Sequence, residues 1–290
     1  MQTDSNKATQ KKTAKKIITE MSFVALTAMV TALLFRSFVL DPFFVPSASM
    51  VPSLLPGDRM FATKWPFGYS KHSFPARIVP FKGKIFAKQP KRGEIVIFAF
   101  PGQEKIFYVK RVVGLPGDKV QVVNNVVYVN KEKLKTKTVK TLTLKEYDKM
   151  SLLNIDPSNT DYDVSTIFHV YEETSSDKLR YQIINSVKNS ISSNTKVFTV
   201  PKDHCFVMGD NRNNSMDSRF DEVGFIPLDK VIAKPVFIFF SSEKSFIVSI
   251  FKPSAIRWKR MFKKLSTDKT INNQIELENV NIDDASFIQA

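Results

Sequence analysis

A mainly β protein held to a membrane by one N-terminal helix is the fold class this sequence predicts, and three observations predict it. Met21 to Phe35 runs for fifteen residues without a charge. A series of short apolar runs rich in β-branched and aromatic residues follows, each closed by Gly, Pro or Asn signals. The excess of positive charge, +15 over 290 residues, gathers in blocks beside such segments. With 43% hydrophobic and 12% aromatic residues the chain has the composition of a folded protein, large enough for one or two cores.

Residues 1–16 form a basic start, with Lys7, Lys11, Lys12, Lys15 and Lys16. Residues 17–40 are expected to form a transmembrane signal-anchor helix. The uncharged run is shorter than the roughly 20 residues a bilayer core needs, but Ile17, Ile18, Phe38, Val39 and Leu40 lengthen it. By the positive-inside rule the lysines keep the N-terminus in the cytoplasm, which sends everything after residue 40 to the outer face. A cleaved signal peptide is the competing reading; the bulky Asp41-Pro42-Phe43-Phe44 stands where such a peptide needs small residues.

Residues 46–58, Pro46-Ser47-Ala48-Ser49-Met50-Val51-Pro52-Ser53-Leu54-Leu55-Pro56-Gly57-Asp58, hold three prolines and a glycine and exclude a long helix. They read either as a stiff linker joining the span to the β-domain or as a frame that fixes hydroxyls. The aromatic stretch Trp65-Pro66-Phe67-Gly68-Tyr69, with Phe81, Ile85 and Phe86, reads either as core or as a loop dipping into a membrane interface. Strands follow at Ile95–Phe100, Ile106–Gly114 and Val120–Val129, the last turned at Asn124-Asn125. Residues 131–196 are more polar and read as an inserted β subdomain. Val197–Val200, Cys205–Met208 and Val231–Phe240 return to core character, so residues 41–130 and 197–250 together make the main β-domain. Residues 251–290 read as a basic amphipathic segment, with Trp258 and Phe262 among Lys252, Arg257, Lys259, Arg260, Lys263 and Lys264, followed by a disordered tail.

Bases placed beside apolar and aromatic residues favour membrane lipid over nucleic acid as the acidic partner. Cys205 is the only cysteine, so no internal disulfide forms, and its apolar strand marks it as a buried structural thiol. Three scattered histidines, His72, His169 and His204, show no metal-ligand spacing and no glycine-rich phosphate loop occurs, so neither metal nor cofactor is expected. The short Ser-x-x-Lys pattern occurs five times without the companion motifs that would give it meaning. A serine nucleophile lacking histidine can use a neutral lysine, whose reference pKa of about 10.4 burial must lower. Lys110 lies inside the apolar run Phe107–Val113 beside Arg111, so if one of the pair faces solvent the other faces the opposite side of the sheet. Taken alone, it also reads as an edge-strand charge that discourages aggregation.

Four blocks in order, Pro46–Leu54, Arg92–Phe98, Tyr108–Asp118 and Gly209–Arg219, resemble the type I signal peptidases of bacteria across about residues 17–240. The resemblance implies a membrane-bound serine endopeptidase with a Ser-Lys dyad, Ser49 as nucleophile and Lys110 as general base. It implies that Ser47 helps hold the oxyanion, that Ser215 orients the lysine, and that Asp217 and Arg219 form a structural ion pair near the site. Phe43, Val45, Leu54, Tyr108 and Val109 become candidate walls of the substrate pocket. Substrates would be secretory preproteins cut after a small-x-small motif such as Ala-x-Ala at the outer face of the bacterial cytoplasmic membrane, by an enzyme acting as a monomer. Two positions depart from the family pattern: Asn213 stands where aspartate is usual, and Ala48 where glycine is common. The alternative is a membrane-anchored, non-catalytic β-domain that binds extended peptides.

Overall fold

The structure is a computed structural model that describes residues 2–74, 83–151, 166–186 and 191–265. Helix α1 (Gln2–Phe38) contains the stretch Lys15–Phe38, long and apolar enough to cross a membrane, with its most apolar window wholly unburied. Its C-terminal end is tied to the first strands of the β-domain: Arg36 pairs with Asp41 at 2.6 Å, and Lys64 Nζ reaches both Asp41 at 2.8 Å and the Arg36 carbonyl at 3.1 Å.

Strands β1 (Asp41–Phe44), β2 (Asp58–Thr63), β3 (Tyr69–Ser70), β4 (Lys84–Ile85), β5 (Ile95–Phe100) and β6 (Gln103–Gly114) are followed by β7 (Lys119–Val123), β8 (Val126–Val129), β9 (Glu132–Lys133) and β10 (Lys135–Thr143). After α2 (Leu144–Ser151) come β11 (Ile167–Thr174), β12 (Arg180–Ser186), β13 (Phe198–Thr199), β14 (His204–Met208), β15 (Ile226–Pro227), β16 (Val231–Ser241) and α3 (Phe246–Phe251). The principal sheet is antiparallel, in the order β1-β2-β16-β5-β6-β14-β15. β5 is central and reads as a continuous apolar run because both its faces are covered. One face packs Val45, Met50, Leu54, Met60, Ile97 and Ile238 together; the other packs Phe98, Val112, Val207 and Val231. The hairpin β7–β8 turns on Asn124 and Asn125, both at positive φ as a two-residue hairpin requires, and joins β13 and β9 in a second sheet.

The inserted region has the β-strands its sequence suggests and, in addition, a helix that was not expected. β10, β11 and β12 form their own antiparallel sheet, and α2 closes it with Leu144 and Tyr147 packed on Phe168, Val170 and Ile184. A capping box starts α2: Thr143 N–H donates to Glu146 Oε2 at 2.8 Å and Glu146 N–H returns to Thr143 Oγ1 at 3.4 Å.

Residues 252–265 are also more tightly held than the sequence suggests. Asp58 is fully buried and needs a counter-charge, and Arg260 supplies it at 2.5 Å while Arg257 bonds the Pro56 and Ser242 carbonyls. Leu265 then joins the principal core. Residues 252–265 therefore lie on the β-domain rather than beyond it; the expected disordered tail falls outside the described residues.

Candidate active site

Ser49 sits on a single turn of 3-10 helix, Ala48–Met50, inside the proline-rich stretch. This stretch connects β1 to β2 within one sheet, so it is not the link between the span and the domain; β1 already belongs to the domain. Val45 N–H donates to the Asp58 carbonyl and Gly57 N–H to the Val45 carbonyl, each at 2.9 Å, which closes the loop at its base. Met50, Val51 and Leu54 are buried below it, the Val51–Pro52 peptide is cis, and Asp58 receives the Leu55 N–H at 2.8 Å. The serines are left at the top: Ser47 is exposed and its Oγ lies 3.4 Å from Ser49 Oγ.

β6 delivers the second group. Lys110 Nζ lies 2.5 Å from Ser49 Oγ, and the side chain is 3% exposed. Burial pushes the ammonium down to about 8, against the opposing pull of Asp217 and Asp210 and with a further push from Arg219. Among the described residues Nζ forms no ion pair, because both carboxylates are engaged elsewhere. Asp217 holds Arg219 through two bonds of 2.8 and 2.9 Å and also accepts the Gly209 N–H at 2.9 Å. Burial alone would raise the Asp217 carboxyl, but Arg219 and Gly209 overcome it and hold the group below its ordinary value. Arg111 holds Asp210 at 2.7 and 2.6 Å, the Gly93 carbonyl at 2.6 Å and Ser53 Oγ at 3.2 Å. Both members of the Lys110–Arg111 pair are thus inside the protein, and neither is an edge-strand charge.

The loop after β14 locks this arrangement. Asn211 N–H donates to the Ser49 carbonyl at 3.1 Å and its Nδ2 to the Ala48 carbonyl at 3.0 Å. Gly209 has to be glycine, since a Cβ there would collide with Ser215 and with the Ser49 carbonyl. Ser215 Oγ is buried with no hydrogen-bond partner, so in this structure it does not bond Lys110. Asn213 accepts the Ser186 N–H at 2.6 Å and ties the loop to β12.

Of the expected pocket residues, Phe43, Val45, Leu54 and Val109 share one cluster, with Phe43 and Val109 half-buried and Val45 and Leu54 beneath them. Tyr108 lies in another cluster, where it meets the rings of Phe98 and Phe100. His169 and His204 bond Thr141 and the Lys202 carbonyl, and Cys205 is fully buried with its thiol pushed up to about 12 by burial. Asn211 and Asp210 were not singled out individually from sequence; their signal was a polar run, Gly209–Arg219, leaving a strand as apolar as Cys205–Met208, while Arg111 was named only as the neighbour of Lys110.

The chain is similar to known proteins over most of its length. The model of the family described as "Signal peptidase, peptidase S26" matches residues 18–240. Signal peptidase I of Rickettsia akari (strain Hartford) is 37% identical over 287 residues, covering 93% of this chain and all of that protein. Signal peptidase I of Rickettsia conorii is 38% identical over 246 residues, covering 84% of this chain and 86% of its relative. The crystal structure of a signal peptidase I from Enterococcus faecalis V583, 25% identical, covers 51% of this chain and 97% of its own, with a TM-score of 0.28. The chain belongs to the signal peptidase I family of serine peptidases, the enzymes that cleave signal peptides.

Proposed function

We propose that Ser49 and Lys110 form the catalytic dyad that cuts signal peptides from secretory preproteins. The observation that carries this is the 2.5 Å approach of a buried, unpaired lysine to a serine hydroxyl. A neutral Lys110 accepts the Ser49 proton as Oγ attacks the scissile carbonyl carbon. The ammonium so formed donates that proton to the leaving amine as the peptide C–N bond breaks, which leaves an acyl-enzyme. Water then gives a proton to Lys110 and adds to the acyl carbon; the ester C–O bond to Ser49 breaks as Lys110 returns that proton to Oγ, which releases the signal peptide and restores Ser49. Negative charge on the tetrahedral oxygen is met by the Ser49 N–H and by the Ser47 hydroxyl, which the exposed end of the loop leaves free to turn.

The substrate lies as an extended strand along the open edge of β1, which leads directly into Ser47 and Ser49. Phe43 and Val109 form the half-buried walls there and Val45 and Leu54 the filled floor, so the pocket is shallow and suits a small residue such as the alanines of Ala-x-Ala. The anchor is α1, with the N-terminus in the cytoplasm and the β-domain outside. Exposed Phe246, Ile247, Ile250, Phe251 and Trp258 beside Lys252 and Lys259 support a domain resting on an anionic lipid surface.

The test is preprotein cleavage by the detergent-solubilised chain. Ser49→Ala and Lys110→Ala each abolish processing on this reading; normal cleavage by either variant sinks the dyad.

A further inference from the structure

We propose that Tyr147, on α2 of the inserted region, is a positioning residue that holds the Ser49 loop through Asn211; this rests on Ser49 being the nucleophile. Tyr147 is fully buried, and its ring stacks on Phe168 with centroids 3.9 Å apart and planes 11° from parallel. The ring alone would serve the core of the insert. The hydroxyl does something else: it accepts a bond from Asn211 Nδ2 at 2.8 Å and lies 3.2 Å from Asn211 Oδ1, to which it can donate.

Asn211 Nδ2 has two hydrogens, and the second goes to the Ala48 carbonyl at 3.0 Å, while Asn211 N–H holds the Ser49 carbonyl at 3.1 Å. One residue thus grips the peptide on either side of the Ser49 nitrogen. An amide turned end for end would set its oxygen against the Ala48 carbonyl. With the phenol engaging both amide ends and no other side chain bonding Asn211 among the described residues, Tyr147 gives the grip its stiffness.

Other contacts place the same duty on the insert. Ile184 of β12 pairs with Asn211 as a parallel bridge: Ile184 N–H donates to the Asp210 carbonyl and Arg212 N–H to the Ile184 carbonyl, both at 2.9 Å. Glu173 of β11 holds Arg212 in a buried ion pair, and Tyr181 of β12 bonds Glu173 at 2.8 Å. Met150 of α2 packs both on the core of the insert and on Ala48, Val51 and Leu55 of the nucleophile loop. The insert is therefore a buttress behind the loop after β14, and that loop in turn fixes Ser49 at its short distance from Lys110. Small displacements of a reacting group cost rate without changing the binding surface, which gives the role a kinetic signature.

The experiment uses the full chain in detergent with a preprotein substrate. Tyr147→Phe keeps the stacked ring and removes only the hydroxyl; kcat should fall about tenfold with KM within about twofold, and the acidic limb of the pH profile should stay where it is. Asn211→Ala should fall further, and the double variant should be no slower than Asn211→Ala alone. Full kcat in Tyr147→Phe, or losses that simply add in the double variant, overturns the proposal. So does an equal kcat loss in Phe168→Leu at a matched fall in Tm, which would reduce the role of Tyr147 to core packing. The outcomes separate from those for the dyad: cleavage by Ser49→Ala removes the nucleophile assignment, whereas an inert Ser49→Ala with a fully active Tyr147→Phe removes only this one.

Discussion

The two faces of β6 bury a cation each, one residue apart, and treat them in opposite ways. Arg111 is 2% exposed and surrounded by partners: Asp210 through two bonds, the Gly93 carbonyl, Ser53, and the face of the Tyr181 ring at 3.9 Å. Lys110 is 3% exposed and meets a serine hydroxyl instead. Asp217 and Asp210 act on it only through space, because each is already bound to an arginine. On the proposed dyad, what separates a structural cation from a reactive one is the direct contact of a carboxylate, and not depth: burial disfavours the charged lysine, and no ion pair among the described residues restores it.

Substitutions on the two faces should separate chemistry from stability. The largest effect is expected at Lys110. Lys110→Arg cannot give up its proton and Lys110→Met has none to exchange, so each should lower kcat by roughly 10⁴-fold or more, with Lys110→Met folding at least as stably as the parent. An active Lys110→Arg enzyme would erase the distinction between the faces. At Arg111 the same type of change should strike stability: Arg111→Met leaves Asp210 buried and unpaired at a cost of about 3–5 kcal/mol, read from urea unfolding. Unfolding midpoints that match the parent would show that the ion pair is not needed. Ser47→Ala should come next, lowering kcat by about 10²–10³ while KM and Tm hold, since the exposed hydroxyl supports only the developing oxyanion.

The contrast between the faces was only half legible in the sequence. Alternating and continuous apolar runs marked β5, β6, the β7–β8 hairpin and β16, and the Asn124-Asn125 turn marked its own position, because those elements owe their form to local pattern. Ser49 and Lys110 were singled out through the resemblance of long motifs, and the structure brings them together. Taken alone, Lys110 read more readily as an edge charge, since periodicity tells which residues share a face but not what covers it. That cover comes from Asp210, Asn211 and Asp217, far along the chain, and no local rule connects them to β6. The insert shows the same divide. Its capping box at Thr143 and Glu146 was present in the sequence and unread, while the contact of Tyr147 with Asn211 has no sequence signal at all, as it depends on how two sheets meet. The fold-back of residues 252–265 was missed for a related reason: an arginine among lysines reads as surface charge until its buried partner, Asp58, is known.

The pH dependence of kcat/KM tests the central claim most directly, because Lys110 must be neutral to accept the Ser49 proton. Below its pKa the group is protonated and the rate should fall tenfold for each pH unit. With burial holding that pKa at about 8, activity should climb with pH and level off above about 8, and the limb should vanish from the residual rate of Lys110→Met. A limb near 10.5, where an unperturbed lysine titrates, would contradict a neutral Lys110 at the active site.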